Sequence, residues 1–203
     1  MARPREFDTE KAIEDMSEEF WANGYEATGI TDLEKTTGLA RARLYAAFGS
    51  KRQMLHQAID FYLVRRIDRI FSRVDEAGLD GVTGFFRRFA QINTEQPERA
   101  AMGCLMVNSV VELGKSDPGV TDRAEWYRNR VRGAFRSALQ KAVRQGVVCG
   151  AIEGRVDLSY MMLMGLYVSV KGGATLDEII RLSEVAIGVA ESWRLPDDRD
   201  SAS

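Results

Sequence analysis

Residues 36–51 read "TTGLARARLYAAFGSK". They hold Arg41, Arg43 and Lys51 beside four alanines and a tyrosine, and no acid. Gly38 and Gly49 bracket a segment long enough for two helical turns. Within it Leu44 and Phe48 are four apart, so they share one helical face and point inward together. Ala42, Ala46 and Arg43 lie opposite that face, with Arg41 and Tyr45 on its flank. The spacing predicts a short helix from about Arg41 to Phe48 with a buried apolar pair and a small, basic outer surface.

The neighbouring residues extend this pattern. A helix from about Thr31 to Thr37 turns Leu33 inward and ends at Gly38. Before it, Asp8 or Thr9 caps a first helix running to about Asn23, with Ile13, Met16 and Phe20 on one face. After it, Ser50 is placed to cap a longer helix to about Ala77, striped by Ile59, Leu63, Ile67, Ile70 and Val74. Three helices with a glycine turn between the second and third form a helix-turn-helix pattern. Small residues at the centre of the outer face let the third helix approach a groove closely. Arginines at its N-terminal end suit forked hydrogen bonds to guanine, and Tyr45 and Lys51 suit phosphates. The competing reading is a solvated helix that lacks acids by accident. It does not account for the glycine turn, the buried pair and the small, basic face together.

Charge is sorted along the chain. The net charge is −2 over 203 residues, which argues against a protein that coats nucleic acid and leaves room for a local basic footprint. Residues 36–56 hold Arg41, Arg43, Lys51 and Arg52 with no carboxylate. The N-terminal "MARPR" is a short basic arm without the apolar run of a signal peptide. The most apolar run, "MMLMGLYVSV" at 161–170, is too short to span a bilayer, so a cytoplasmic protein without a membrane partner is expected. Cys104 and Cys149 stand apart and are read as reduced thiols. His56 is the one histidine and has no companion at metal-ligand spacing. Phosphate-binding loops, nucleophile elbows and zinc-protease motifs are missing, so neither a cofactor nor a catalytic set is called for.

Further helices are expected at about 82–95, 99–114, 118–146, 157–172 and 176–193, with breaks at Pro97 and Pro118. The fold class is all-α: a three-helix head joined to a larger helical C-terminal domain.

At residues 20–55, "FWANGYEATGITDLEKTTGLARARLYAAFGSKRQML", the chain resembles the tetracycline-repressor (TetR) family of bacterial regulators. Gly24, Tyr25, Thr28, Leu33, Gly38, Leu44, Tyr45, Phe48, Lys51 and Leu55 carry the likeness. It implies a DNA-binding domain at 1–52 and a ligand-binding and dimerisation domain at 53–203. It makes the third helix the recognition helix, with Arg41, Ala42, Arg43, Tyr45 and Ala46 facing DNA and Thr31 and Lys51 on phosphates or a flanking base. Two departures stand out. Ala40 sits where the family often has a capping serine, a loss worth about 1 kcal/mol, which predicts a third helix partly ordered by DNA. Gly29 replaces a common Ser or Thr.

The resemblance further implies a homodimer built on the last two helices and a small-molecule effector. Gly165, Ser169 and Gly172 would admit a partner helix, and Ile179, Leu182, Ala186, Val189 and Trp193 form a second stripe. An adaptable apolar pocket is drawn from Phe85, Phe86, Phe89, Met102, Cys104, Met106, Trp126, Tyr127, Met161 and Met164, with Asn108 and Glu112 as candidate polar contacts. Most of these are also ordinary core types. The function expected is a ligand-responsive regulator, a repressor on a palindromic double-stranded operator. The alternatives are a head-fold interaction module without DNA binding and a small helical enzyme.

Overall fold

A computed structural model describes residues 7–196. Eleven α-helices run through them: α1 Thr9–Asn23, α2 Ile30–Thr37, α3 Arg41–Phe48, α4 Lys51–Tyr62, α5 Arg69–Glu76, α6 Leu79–Glu95, α7 Pro97–Ala101, α8 Leu105–Leu113, α9 Pro118–Arg144, α10 Glu153–Lys171 and α11 Leu176–Glu191. No strand occurs among the described residues. The basic arm and the last seven residues lie outside them.

The chain forms two compact units. The first holds the residues up to Ile67 together with Cys104–Tyr127; the second holds Asp68–Gly103 and the chain from Arg128 onward. In the first unit, Asp8 caps α1 by accepting from the Lys11 N–H at 3.0 Å. Met16, Phe20 and Trp21 of α1 are buried with Leu33, Leu44, Phe48, Met54, Leu55 and Ile59. Ile13, expected on the inner face, is only half-buried; Trp21 and Ala12 are buried instead. Ser50 caps α4, and the Gln53 side chain returns to the Ser50 N–H at 2.8 Å, a capping box. α1 packs on α4 and α2, and α8 packs on both α1 and α4.

Two departures from local periodicity matter. The helix after Ser50 is not uniform: residues Leu63–Asp68 form a π-helical segment between α4 and α5. Ile59, Leu63, Ile67 and Val74 of the expected stripe are buried; past the wider turn Phe71 is buried in place of Ile70, which is half-exposed. The helix expected at 99–114 is broken at Met102–Cys104, where Gly103 adopts φ +71°. Cys104 therefore precedes the first residue of α8 rather than sitting mid-helix.

In the second unit, α11 packs on α6, and Phe71, Phe85, Phe86 and Phe135 form an aromatic core. Phe71 and Phe85 lie 5.1 Å apart and Phe85 and Phe135 5.8 Å apart, within the usual range for aromatic pairs. Arg130 joins α9 to Asp68 at 2.6 Å and Asp75 at 3.0 Å.

Candidate nucleic-acid interface

The geometry of α3 begins with its ends. Gly38 takes a left-handed conformation (φ +68°, ψ 12°) that ends α2 and redirects the chain into α3. Ala40 offers no side-chain cap. The vacancy is filled from α2: a Glu34 carboxylate oxygen accepts from the Arg41 N–H at 2.6 Å. The helix start is thus satisfied within the protein, which corrects the expectation of a third helix ordered by DNA. The same carboxylate lies 3.8 Å from the Arg41 side chain. The outer face of α3, acid-free in sequence, therefore has one acid beside it, contributed by the preceding helix.

Leu44 and Phe48 are buried, as the spacing requires. Arg41, Ala42, Tyr45, Ala46 and Ala47 are exposed, giving a low, narrow surface flanked by a cation and a phenol. Arg43 departs from the expected arrangement. It is half-buried, with its guanidinium 4.8 Å from the Phe7 ring centroid, a cation–π distance. Phe7 is itself held edge-on against Phe48 at 5.9 Å. Thr31 is exposed near the start of α2. That start is closed by Asp32, which accepts from the Gly29 N–H at 2.9 Å, so the missing Ser or Thr leaves no gap in the backbone's hydrogen bonding there. Lys51 stands over the Tyr25 ring at 4.3 Å, a platform that holds its ammonium at the start of α4.

Sequence reasoning missed the contacts that tie this head to residues 104–127. Glu112, by sequence a candidate ligand contact, instead accepts with its carboxylate from the Tyr25 N–H at 2.8 Å and the Glu26 N–H at 2.7 Å. His56, read as solitary, places Nε2 3.1 Å from both carboxylate oxygens of Asp117. Arg52 Nε lies 3.3 Å from the same carboxylate, which also accepts from the Val120 N–H at 3.2 Å and so caps α9. Burial pushes the Asp117 carboxyl up, but the hydrogen bonds from His56 and Val120 and the His56 and Arg52 charges outweigh it and hold it below the ordinary carboxylate value. Arg123 adds a two-pronged contact to Asp60, at 2.8 and 2.6 Å. The only local signal for any of these was Asp117 preceding a proline at the first position of a helix.

The residues expected to line a pocket divide between the two units. Cys104, Met106, Asn108, Trp126 and Tyr127 belong to the first; Phe85, Phe89, Met102, Met161 and Met164 belong to the second. Trp126 (42% exposed) and Met161 (64%) lie on the surface, contrary to a lining role within their units. Phe85 is half-buried and packs on Phe71, Phe86 and Phe135, and Phe89 packs on Tyr167 at 5.5 Å. Cys104 is buried, which pushes its thiol up despite nearby hydrogen bonds. Among the described residues no helix is long and apolar enough to cross a membrane.

A head with this buried pair, this glycine turn and this low basic face defines a DNA-binding transcription regulator of the helix-turn-helix class. The family model described as "Bacterial regulatory proteins, tetR family" matches residues 16–58. Residues 16–58 thus match the DNA-binding head of that family. It is 28% identical over 195 residues to the HTH-type transcriptional repressor ComR of Escherichia coli strain K12, covering 89% of this chain and 88% of that one. It is 29% identical over 152 residues to the HTH-type transcriptional regulator YezE of Bacillus subtilis strain 168, covering 74% and 77%. Among solved structures, a cysteine mutant of the TetR-family regulator CifR complexed with 26-bp double-strand operator DNA shares the fold, with a TM-score of 0.79 at 24% identity over 92% of this chain and 98% of that one. A TetR regulator from Chloroflexus aurantiacus does so at 0.79 and 20%, over 92% and 96%.

Proposed function

We propose that the protein is a transcriptional repressor that binds a palindromic operator as a homodimer and is released by a small apolar or amphipathic effector. The observation that carries the reading is the outer face of α3. Ala42, Ala46 and Ala47 keep the helix low enough for the major groove, and Arg41 and Tyr45 stand exposed beside them. In this reading residues 1–52 are the DNA-binding head and 53–203 carry dimerisation and ligand binding. Arg41, Ala42 and Ala46 meet base edges, Arg43 reaches them from its Phe7 support, and Thr31, Tyr45 and Lys51 hold phosphates. The curated relative in Escherichia coli is named a repressor, which supports that direction of control. The operator complex of the fold relative CifR supports duplex DNA as the partner. A regulator of this kind works in the cytoplasm.

Dimerisation is supported by an apolar stripe. Leu158, Met161, Gly165 and Val168 are exposed at helical spacing on α10, and Val185 is exposed on α11. Stripes of exposed apolar side chains with a glycine in them fit the isologous pairing of two copies. Two heads on one dimer would read half-sites about 34 Å apart. Likeness to that family supports an effector site in the C-terminal domain.

Selection from random duplexes with the purified protein tests this reading. It predicts an enriched palindrome bound by two protomers. Enrichment of nothing, or of a single unpaired site bound by one protomer, contradicts it.

A further inference from the structure

Glu112 is fastened to the DNA-binding head across 86 residues of sequence, yet it takes no part in DNA contact in the reading above. Both of its carboxylate oxygens are used: one on the Tyr25 N–H at 2.8 Å, the other on the Glu26 N–H at 2.7 Å. These two amides form the corner between α1 and α2, just after the end of α1. The fit is close. A Cβ on Gly24 would lie 3.1 Å from a Glu112 oxygen, and Gly24 itself adopts φ +84°. Thr28 closes the corner from within by donating its hydroxyl to the Gly24 carbonyl at 2.6 Å.

This corner governs two parts of the DNA-binding surface. The Tyr25 ring is the platform under Lys51 and stacks on Phe20 at 6.2 Å. Three residues after Glu26, Gly29 is the N-cap of α2, whose Glu34 caps α3. Fixing the two amides therefore fixes the platform of a phosphate ligand and the entry to the helix that holds the recognition helix.

The setting of Glu112 suits a contact made and broken rather than a permanent support. It lies in the last turn of α8 and is exposed to solvent. Five residues on, Asp117 is buried and bound to His56 and Arg52 of α4, and Arg123 binds Asp60. A short 3-10 turn, Gly114–Ser116, separates the exposed contact from the buried one. At its other end α8 starts at Leu105, preceded by Cys104 and the left-handed Gly103. A tilt of α8 about the Asp117 joint would draw Glu112 off the amides and leave α4 fastened.

We propose that Glu112 is a latch. Its carboxylate, closed on the Tyr25 and Glu26 amides, holds the head in the DNA-reading arrangement, and withdrawal of α8 opens it and lowers operator affinity. The inference rests on the DNA-binding reading above. Linkage makes it reciprocal: a latch that favours DNA must be closed more tightly when DNA is bound.

Simple electrostatics predicts the opposite sign, and this separates the two explanations. Removing a carboxylate from a DNA-binding protein reduces its repulsion from phosphates and should tighten binding. The latch predicts that Glu112→Ala weakens binding about tenfold, within the usual span of allosteric coupling. Glu112→Gln keeps one acceptor and should fall between Glu112→Ala and wild type. Glu112→Asp keeps the charge but falls a methylene short, and should weaken binding as Glu112→Ala does.

The experiment titrates the duplex that wild type selects from random DNA against all four proteins and follows hydrogen exchange at the Tyr25 and Glu26 amides with and without that duplex. The expected result is weaker binding by all three variants, fast exchange at the two amides in Glu112→Ala, and added protection in wild type when DNA is present. If wild type selects no duplex, the DNA reading falls and the latch with it. If wild type binds but the variants bind as tightly or more tightly, the latch alone is overturned. Protection of the two amides that DNA does not change also overturns it, because a merely structural contact behaves that way.

Discussion

Asp117→Asn should destabilise the first compact unit by about 2 kcal/mol at neutral pH, and the structure shows where that number arises. The wild-type carboxylate is buried and receives three groups: His56 Nε2 at 3.1 Å, Arg52 Nε at 3.3 Å and the Val120 N–H at 3.2 Å. Asparagine still caps a helix, so the roughly 1 kcal/mol of the α9 cap is largely kept. The lost part is charge. A charge-assisted hydrogen bond to a mostly buried partner such as His56 contributes about 1.5–3 kcal/mol. Arg52 is half-exposed and adds less than about 1 kcal/mol after solvent screening. Asp117→Ala also loses the cap and should cost about 3 kcal/mol.

The assay is urea unfolding at fixed protein concentration, wild type against Asp117→Asn, from neutral pH downward. Because the folded Asp117 value lies below the ordinary one, its contribution is complete above about pH 3.9 and is lost as pH falls through the folded value. The gap between the two proteins should therefore narrow as pH drops below about 4. Equal stability at neutral pH, or a gap that widens in acid, would refute the reasoning.

Three further outcomes follow from the same structure. Leu44→Ala removes a fully buried side chain from the small head and should cost about 3 kcal/mol, read as a lower urea midpoint with loss of specific DNA binding. Lys51→Gln should weaken binding to every duplex by a similar factor and reduce the slope of log affinity against log salt by about 1, since the account gives Lys51 a phosphate and no base. Met161→Glu puts a charge into the exposed α10 stripe and should shift sedimentation from dimer to monomer, at a cost above about 2 kcal/mol of association free energy, with the secondary structure unchanged.

The head was legible because its instructions are local. Gly38, Ser50 and the Leu44/Phe48 spacing each act within a few residues, and the bounds of α1, α2 and α3 fall within about a residue of those read from them. Less local features were not visible. "LVRRID" reads as ordinary helix, and nothing in it announces the π-helical segment that rotates Phe71 inward. The cap on α3 comes from Glu34, which looks like one more surface acid of α2 until the turn brings it to Arg41. Phe7 under Arg43 joins residues 36 apart in sequence, and His56 with Asp117 joins residues 61 apart; periodicity carries no information at such range. The pocket list was the least legible, because methionine and aromatic side chains serve core, surface stripe and cavity alike. Trp126 and Met161 proved to be surface residues, and Phe85 a half-buried member of an aromatic cluster.

The central claim is that α3 reads bases, and a thermodynamic cycle between Arg41 and the operator tests it most directly. Wild type and Arg41→Ala are each titrated with the selected duplex and with duplexes changed at one base pair of each half-site in turn. The account predicts that one position loses about 1–3 kcal/mol of discrimination when Arg41 is removed, while the others keep theirs. If Arg41→Ala weakens all duplexes equally, Arg41 is a phosphate contact and the account of the recognition face is wrong at its centre.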